Sequence, residues 1–93
     1  EGEDTLAKHP AVLEVAVIGV PDGAAGEAVK AFIVTKPDTQ ASVDQLRDFC
    51  REHLTAYKVP KFIEFRTELP KTNVGKILRK DLRAEELARL AKG

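Results

Sequence analysis

Val12-Leu13-Glu14-Val15-Ala16-Val17-Ile18-Gly19-Val20 and, after a short link, Ala28-Val29-Lys30-Ala31-Phe32-Ile33-Val34-Thr35 are the two runs that decide the fold. The first is β-branched and apolar on both faces, as a central strand is. The second reads as another strand. Between them Pro21-Asp22-Gly23 is a turn signal with a mechanism: Pro presets φ, and Gly tolerates φ > 0. A link this short makes the pair an antiparallel hairpin.

On the N-terminal side, Leu6-Ala7-Lys8-His9 is the end of a helix that Pro10 stops. On the other side, Pro37-Asp38-Thr39 ends the second strand. Ser42, with Gln45 three residues on, is a capping box. It opens a helix whose apolar stripe is Val43, Leu46, Phe49, Cys50 and Leu54. Cys50 lies in the stripe and reads as a core thiol. His9 and His53 have no companions at ligand spacing, so no metal site is expected. Pro60 closes a loop, Lys61 to Arg66 is a short third strand, and Leu69 to Gly75 is a loop. Ile77 to Leu90 is an amphipathic helix with Ile77, Leu78, Leu82, Leu87 and Leu90 on its apolar side. The order α-β-β-α-β-α implies a small α+β fold, a three-stranded sheet with helices packed on it.

Composition narrows the function. The 93 residues make one domain, and 43% hydrophobic content is ordinary for a globular protein. One Tyr and no Trp argue against a base-stacking surface. A single cysteine excludes an internal disulfide and fits a reducing, cytoplasmic setting. No apolar run approaches the ~20 residues that span a bilayer. Glu1-Gly2-Glu3-Asp4 is unlike a signal peptide and reads as an abrupt start, as of a chain cut from something longer. The net charge of zero hides an asymmetry: residues 1–56 hold 5 Lys/Arg against 10 Asp/Glu, and residues 57–83 hold 8 against 3. A basic stretch of that kind suits phosphate groups, or is simply a solvated face.

The chemistry is concentrated in Leu69-Pro70-Lys71-Thr72-Asn73-Val74-Gly75-Lys76-Ile77-Leu78-Arg79-Lys80. Gly75-Lys76 resembles the tail of a phosphate-binding P-loop but is not one. Ile77 follows the lysine where Ser or Thr is needed, and no glycine stands five residues before Gly75. What remains is a lysine on a flexible, glycine-containing loop just before a helix. Such a residue is a point charge on a long stem that reaches a carboxylate or a phosphate, or else an ordinary solvated lysine.

Pro70-Lys71-Thr72, Gly75-Lys76-Ile77-Leu78-Arg79 resembles the last signature motif of the adenylate-forming superfamily. That superfamily includes acyl-CoA synthetases, luciferases and the adenylation domains of peptide synthetases. His9-Pro10-Ala11-Val12, Val17-Ile18-Gly19-Val20-Pro21-Asp22 and Gly26-Glu27-Ala28-Val29-Lys30-Ala31 are similar to its first hairpin. Tyr57-Lys58-Val59-Pro60 is similar to the segment before the last motif, and the whole looks most like bacterial long-chain fatty-acid–CoA ligases.

The resemblance implies that residues 1–93 are the mobile C-terminal lid domain of such a ligase, without its large ATP- and acyl-binding domain. Lys76 is then the catalytic lysine of acyl-adenylate formation. Lys71, Thr72 and Gly75 form its supporting loop, and Arg79 and Lys80 support the interface with the large domain. Tyr57 and Lys61 are placed at the coenzyme A nucleotide, by stacking and by charge. The implied substrates and cofactors are fatty acid, ATP with Mg²⁺, acyl-AMP and coenzyme A. The partner is the large N-terminal domain. The whole enzyme is expected in the cytoplasm, with peripheral membrane contact, and no nucleic acid is expected. Two alternatives remain: a lid that serves the loading of a carrier protein, and a small basic module that binds nucleic acid.

Overall fold

The computed structural model describes residues 2–23, 26–54 and 59–92. In chain order these form α1 (Gly2–Ala7), β1 (Val12–Asp22), β2 (Gly26–Thr35), α2 (Val43–His53), β3 (Phe62–Phe65) and α3 (Arg79–Lys92). The α-β-β-α-β-α order and the α+β class read from the sequence are the observed ones. No helix among the described residues is long and apolar enough to cross a membrane.

β1 and β2 pair antiparallel, from Val12 opposite Thr35 to Asp22 opposite Gly26. Pro21 and Asp22 therefore belong to the strand rather than to a turn, and positive φ angles of 43° and 86° fall at Gly23 and Gly26. Proline is accepted because β1 is an edge strand, where a missing N–H need not interrupt the ladder. This corrects the reading of Val12–Val20 as a central strand. The sheet order is β1-β2-β3, so β2 is the centre. β3 pairs with β2 in parallel, from Lys30 opposite Phe62 to Ile33 opposite Phe65. Parallel neighbours need a crossover, and α2 supplies it.

β1 is apolar on both faces because both faces are covered. Val15, Ala31 and Ile33 are buried with Leu6 of α1 and with Leu46 and Cys50 of α2. Ala16, Ile18, Phe32 and Val34 point the other way and are buried with Leu69 and Leu82. The capping box of α2 is present: Gln45 N–H donates to Ser42 Oγ at 3.1 Å and Ser42 N–H to Gln45 Oε1 at 2.9 Å. Cys50 is the core thiol expected, and burial pushes its pKa up. His9 Nδ1 accepts the Ala11 N–H at 3.1 Å, and its ring meets the edge of Phe49.

α3 departs from its expected phase. Leu82 is fully buried, but Leu87 and Leu90 stay 40% and 45% exposed, and Glu86, one turn on from Leu82, goes inside at 3%. Its partner is Lys30 of β2, itself 6% exposed. Lys30 Nζ donates to Glu86 at 2.6 Å and to Glu64 of β3 at 2.9 Å, and Arg89 donates to the other Glu86 oxygen at 2.6 Å. Lys30 and Arg66 also lie over the Phe32 ring, with their cationic groups 5.1 and 4.8 Å from its centre. Burial works to raise the pKa of Glu86, but the hydrogen bonds from Arg89 and Lys30 outweigh it and hold the carboxyl below its ordinary value. Glu64 is held down in the same way, against burial, by Lys30 and Arg66.

Both folded carboxyls titrate below the unfolded value of 4.5, so their stabilisation is complete above that pH and is lost as pH falls below it. Thermal melts of the chain between pH 7 and pH 3 are expected to show this acid limb. Glu86→Gln leaves Lys30 with a weakened partner and is expected to cost about 3 kcal/mol at neutral pH and to flatten the limb. A Glu86→Gln chain as stable as the parent at pH 7 contradicts the assignment.

Candidate functional site

The segment Pro70 to Leu78 is a closed hairpin, not the flexible loop its composition suggests. Lys71 and Ile77 form an antiparallel bridge. Thr72 N–H donates to the Lys76 carbonyl at 2.8 Å, and Leu78 N–H to the Pro70 carbonyl at 2.8 Å. At the tip Gly75 has φ 83°, which a side chain adopts only at a cost of about 1–2 kcal/mol. Gly75 N–H donates to the Thr72 carbonyl at 2.9 Å, and Lys76 N–H donates to Thr72 Oγ1 at 3.2 Å. Four of the expected site residues, Lys71, Thr72, Gly75 and Lys76, are thus brought together in one small unit.

One ion pair ties this hairpin to the sheet, and a second ties the helix that follows it to α1. Lys71 pairs with Glu14 of β1, and Arg79, at the start of α3, pairs with Glu3 of α1. Glu3 also accepts the Val17 N–H at 2.9 Å, which satisfies part of the free edge of β1. Burial acts to raise the pKa of Glu3, but the Arg79 guanidinium and the Val17 N–H override it and the net shift is downward. Arg79, expected at the interface with the large domain, is thereby engaged inside this one.

The same kind of pairing places carboxylates beside most described cations of residues 57–83, which breaks up the positive field that the sequence suggests there. Lys61 pairs with Asp22, Arg66 with Glu64 and Glu85, and Arg83 approaches Glu27 at 3.8 Å. Among the described residues of this stretch, Lys76 and Lys80 have no carboxylate partner within 4.0 Å. Lys76 is exposed, and beside it Val74 is 89% exposed at the hairpin tip.

Lys61 is elsewhere. Its N–H donates to the Val29 carbonyl at 2.9 Å, and its ammonium pairs with Asp22 at the far end of β1. It lines an open groove of about 660 Å³ with Arg47, Arg51, Val59, Pro60 and Phe62. Tyr57 lies outside the described residues. Glu14, which anchors the Lys76 hairpin, and Asp22, which anchors Lys61, stand about 26 Å apart along the strand at ~3.3 Å per residue. The two expected site segments therefore occupy opposite ends of the sheet.

Sequence reasoning gives no role to Glu3, Glu14, Arg47 or Arg51. The i, i+4 spacing of Arg47 and Arg51 on the polar side of α2 is a readable signal, and so is a lone Glu14 within an apolar strand. Nothing local marks Glu3.

Residues 1–76 match the family model of the AMP-binding enzyme C-terminal domain. The chain belongs to that family. Its relatives include the long-chain-fatty-acid–CoA ligase of Escherichia coli O157:H7, 59% identical over 91% of this chain and 15% of that protein. The long-chain-fatty-acid–CoA ligase of Bacillus subtilis is 54% identical over 92% of this chain and 15% of the other. The crystal structure of a Brucella canis acyl-CoA synthetase superposes with a TM-score of 0.90 and 41% identity, over 96% of this chain and 17% of that one. This AMP-binding enzyme C-terminal domain thus spans about one sixth of the length of the proteins it matches.

With Lys61, Arg66, Lys71, Arg79 and Arg83 of its basic stretch each beside a carboxylate, the domain is expected to bind random oligonucleotides no more tightly than about 10⁻⁴ M at physiological salt. A filter-binding titration checks this. Micromolar binding with a steep salt dependence would favour the nucleic-acid alternative.

Proposed function

We propose that this domain is the lid of a fatty-acid–CoA ligase and that Lys76 supplies the cation for acyl-adenylate formation. In that step a carboxylate oxygen bonds to the α-phosphorus of ATP and the bond to pyrophosphate breaks. An anion approaches an anion while charge builds on the phosphoryl oxygens, and an ammonium between the two offsets both. The observation that carries the reading is the state of Lys76: its backbone is pinned on a hairpin while its ammonium has no carboxylate partner among the described residues. Its neighbours Lys71 and Arg79 are both paired. Mg²⁺ accompanies ATP, and its ligands are assigned to the large domain.

In the second step the thiol of coenzyme A attacks the acyl carbonyl and AMP leaves. The Lys61 groove is also lined by Arg47 and Arg51; all three cations are exposed enough to exchange their present partners, Asp22, the Lys61 carbonyl and Asp48, for the nucleotide phosphates of coenzyme A, and Tyr57 is a stacking candidate for the adenine. One rigid orientation does not present both ends of the sheet to a single reaction centre. The separation of about 26 Å, at ~3.3 Å per strand residue, supports a rotation of the lid between the two steps.

The test uses the full-length enzyme and reads the half-reactions separately. Lys76→Ala is expected to lower acyl-dependent ATP–pyrophosphate exchange by about 10² or more and to spare thioester formation from pre-made acyl-AMP and coenzyme A. Lys61→Ala is expected to do the reverse, raising the KM for coenzyme A about tenfold with exchange intact. If Lys76→Ala spares both half-reactions, Lys76 is a solvated surface residue and the reading is wrong.

A further inference from the structure

Lys76 carries its charge on a long, flexible stem, so the volume its ammonium explores is set by how firmly its Cα is held. One residue holds it. The Lys76 carbonyl accepts the Thr72 N–H at 2.8 Å, and the Lys76 N–H donates to Thr72 Oγ1 at 3.2 Å. Thr72 also closes the tip, since its carbonyl accepts the Gly75 N–H at 2.9 Å. Both polar backbone atoms of Lys76 therefore end on Thr72. Any residue makes the two main-chain bonds. The third needs an acceptor one atom beyond Cβ, which is the reach of a hydroxyl. The frame around the clamp is fixed from outside by Lys71 on Glu14 and Arg79 on Glu3.

We infer that the Thr72 hydroxyl is a positioning residue for adenylate formation, acting through the Lys76 backbone; this rests on the reading of Lys76 proposed above. A purely structural role predicts something different. Lys76 is exposed, so water replaces Oγ1 as the partner of its N–H, and an exposed hydrogen bond contributes little to stability. Water does not fix a position, and a displacement of about 1 Å at a reacting group costs as much as 10² in rate. Loss of the hydroxyl therefore separates rate from stability.

The experiment compares full-length Thr72→Val, Thr72→Ser, Lys76→Ala and the Thr72→Val/Lys76→Ala double variant with the parent. Valine keeps the β-branch and removes the acceptor. Thr72→Val is expected to lower the turnover of acyl-dependent ATP–pyrophosphate exchange about tenfold, with KM for ATP and fatty acid within about twofold. Its melting temperature is expected within about 2 °C of the parent's. Thr72→Ser restores turnover to within about threefold, because it restores the acceptor. In the Lys76→Ala background, Thr72→Val costs nothing more, since the residue it positions is gone. Parent-like turnover in Thr72→Val, a slow Thr72→Ser, or a further tenfold loss in the double variant each overturn the inference. A parent-like Lys76→Ala removes the reading beneath it, whereas an impaired Lys76→Ala beside an unimpaired Thr72→Val removes only the role of Thr72.

Discussion

Both faces of the three-stranded sheet are covered by helices, and apart from the buried Lys30–Glu86 contact this constraint pushes the charged side chains outward. α1 and α2 cover one face and α3 the other. The charged side chains for which chemistry is proposed lie at the ends of the sheet. The Lys76 hairpin is tied to one end of β1 through Glu14, and Lys61 to the other through Asp22. The open edge of β1 is capped by side chains rather than by another strand: Glu3 takes the Val17 N–H at 2.9 Å, and Arg83 donates to the Gly19 carbonyl at 2.7 Å.

Electrostatics follow the same geometry. The acidic first half and the basic second half of the chain fold onto one another, and most described cations of the basic stretch find a carboxylate. Exposed pairs of this sort contribute little each. Their larger effect is selection, because among the described cations of this stretch they leave only Lys76 and Lys80 without a carboxylate, and Lys76 alone of the two sits on the hairpin. The Lys30–Glu86 contact differs in kind. Both groups are buried, desolvation offsets much of their attraction, and removing either leaves the other with a single, more exposed partner: Glu64 for Lys30, Arg89 for Glu86. That contact fixes how α3 sits on the sheet, and α3 begins three residues after Lys76.

What the sequence disclosed was mostly local. The Ser42–Gln45 capping box, the stripe of α2 and the last signature motif each lie within about a dozen residues, and the β1–β2 hairpin joins strands that are adjacent in the chain, so spacing has physical meaning in all of them. The misreadings were non-local. Val12–Val20 looked central because two covered faces give the same pattern as two flanking strands. The phase of α3 departs from its helical periodicity because Glu86 pairs with Lys30, 56 residues away, a partner that no local spacing records. The motif identified Lys76, Gly75 and Thr72 as residues, but not the hairpin. Its closure depends on backbone bonds that leave no compositional trace, and its anchors, Glu3 and Glu14, come from the opposite half of the chain.

In the proposed mechanism a primary ammonium held at position 76, with no carboxylate partner among the described residues, drives adenylate formation. Lys76→Cys in the full-length enzyme, alkylated with 2-bromoethylamine, tests it most directly, because alkylation rebuilds an ammonium of nearly the same length. Cys50 is buried with its thiol pKa raised and stays unreactive, and parent enzyme treated identically controls for thiols elsewhere. The account predicts that Lys76→Cys loses about 10² or more in ATP–pyrophosphate exchange and that alkylation recovers most of it. Exchange that is unimpaired before alkylation, or unrecovered after complete alkylation of position 76, would contradict it.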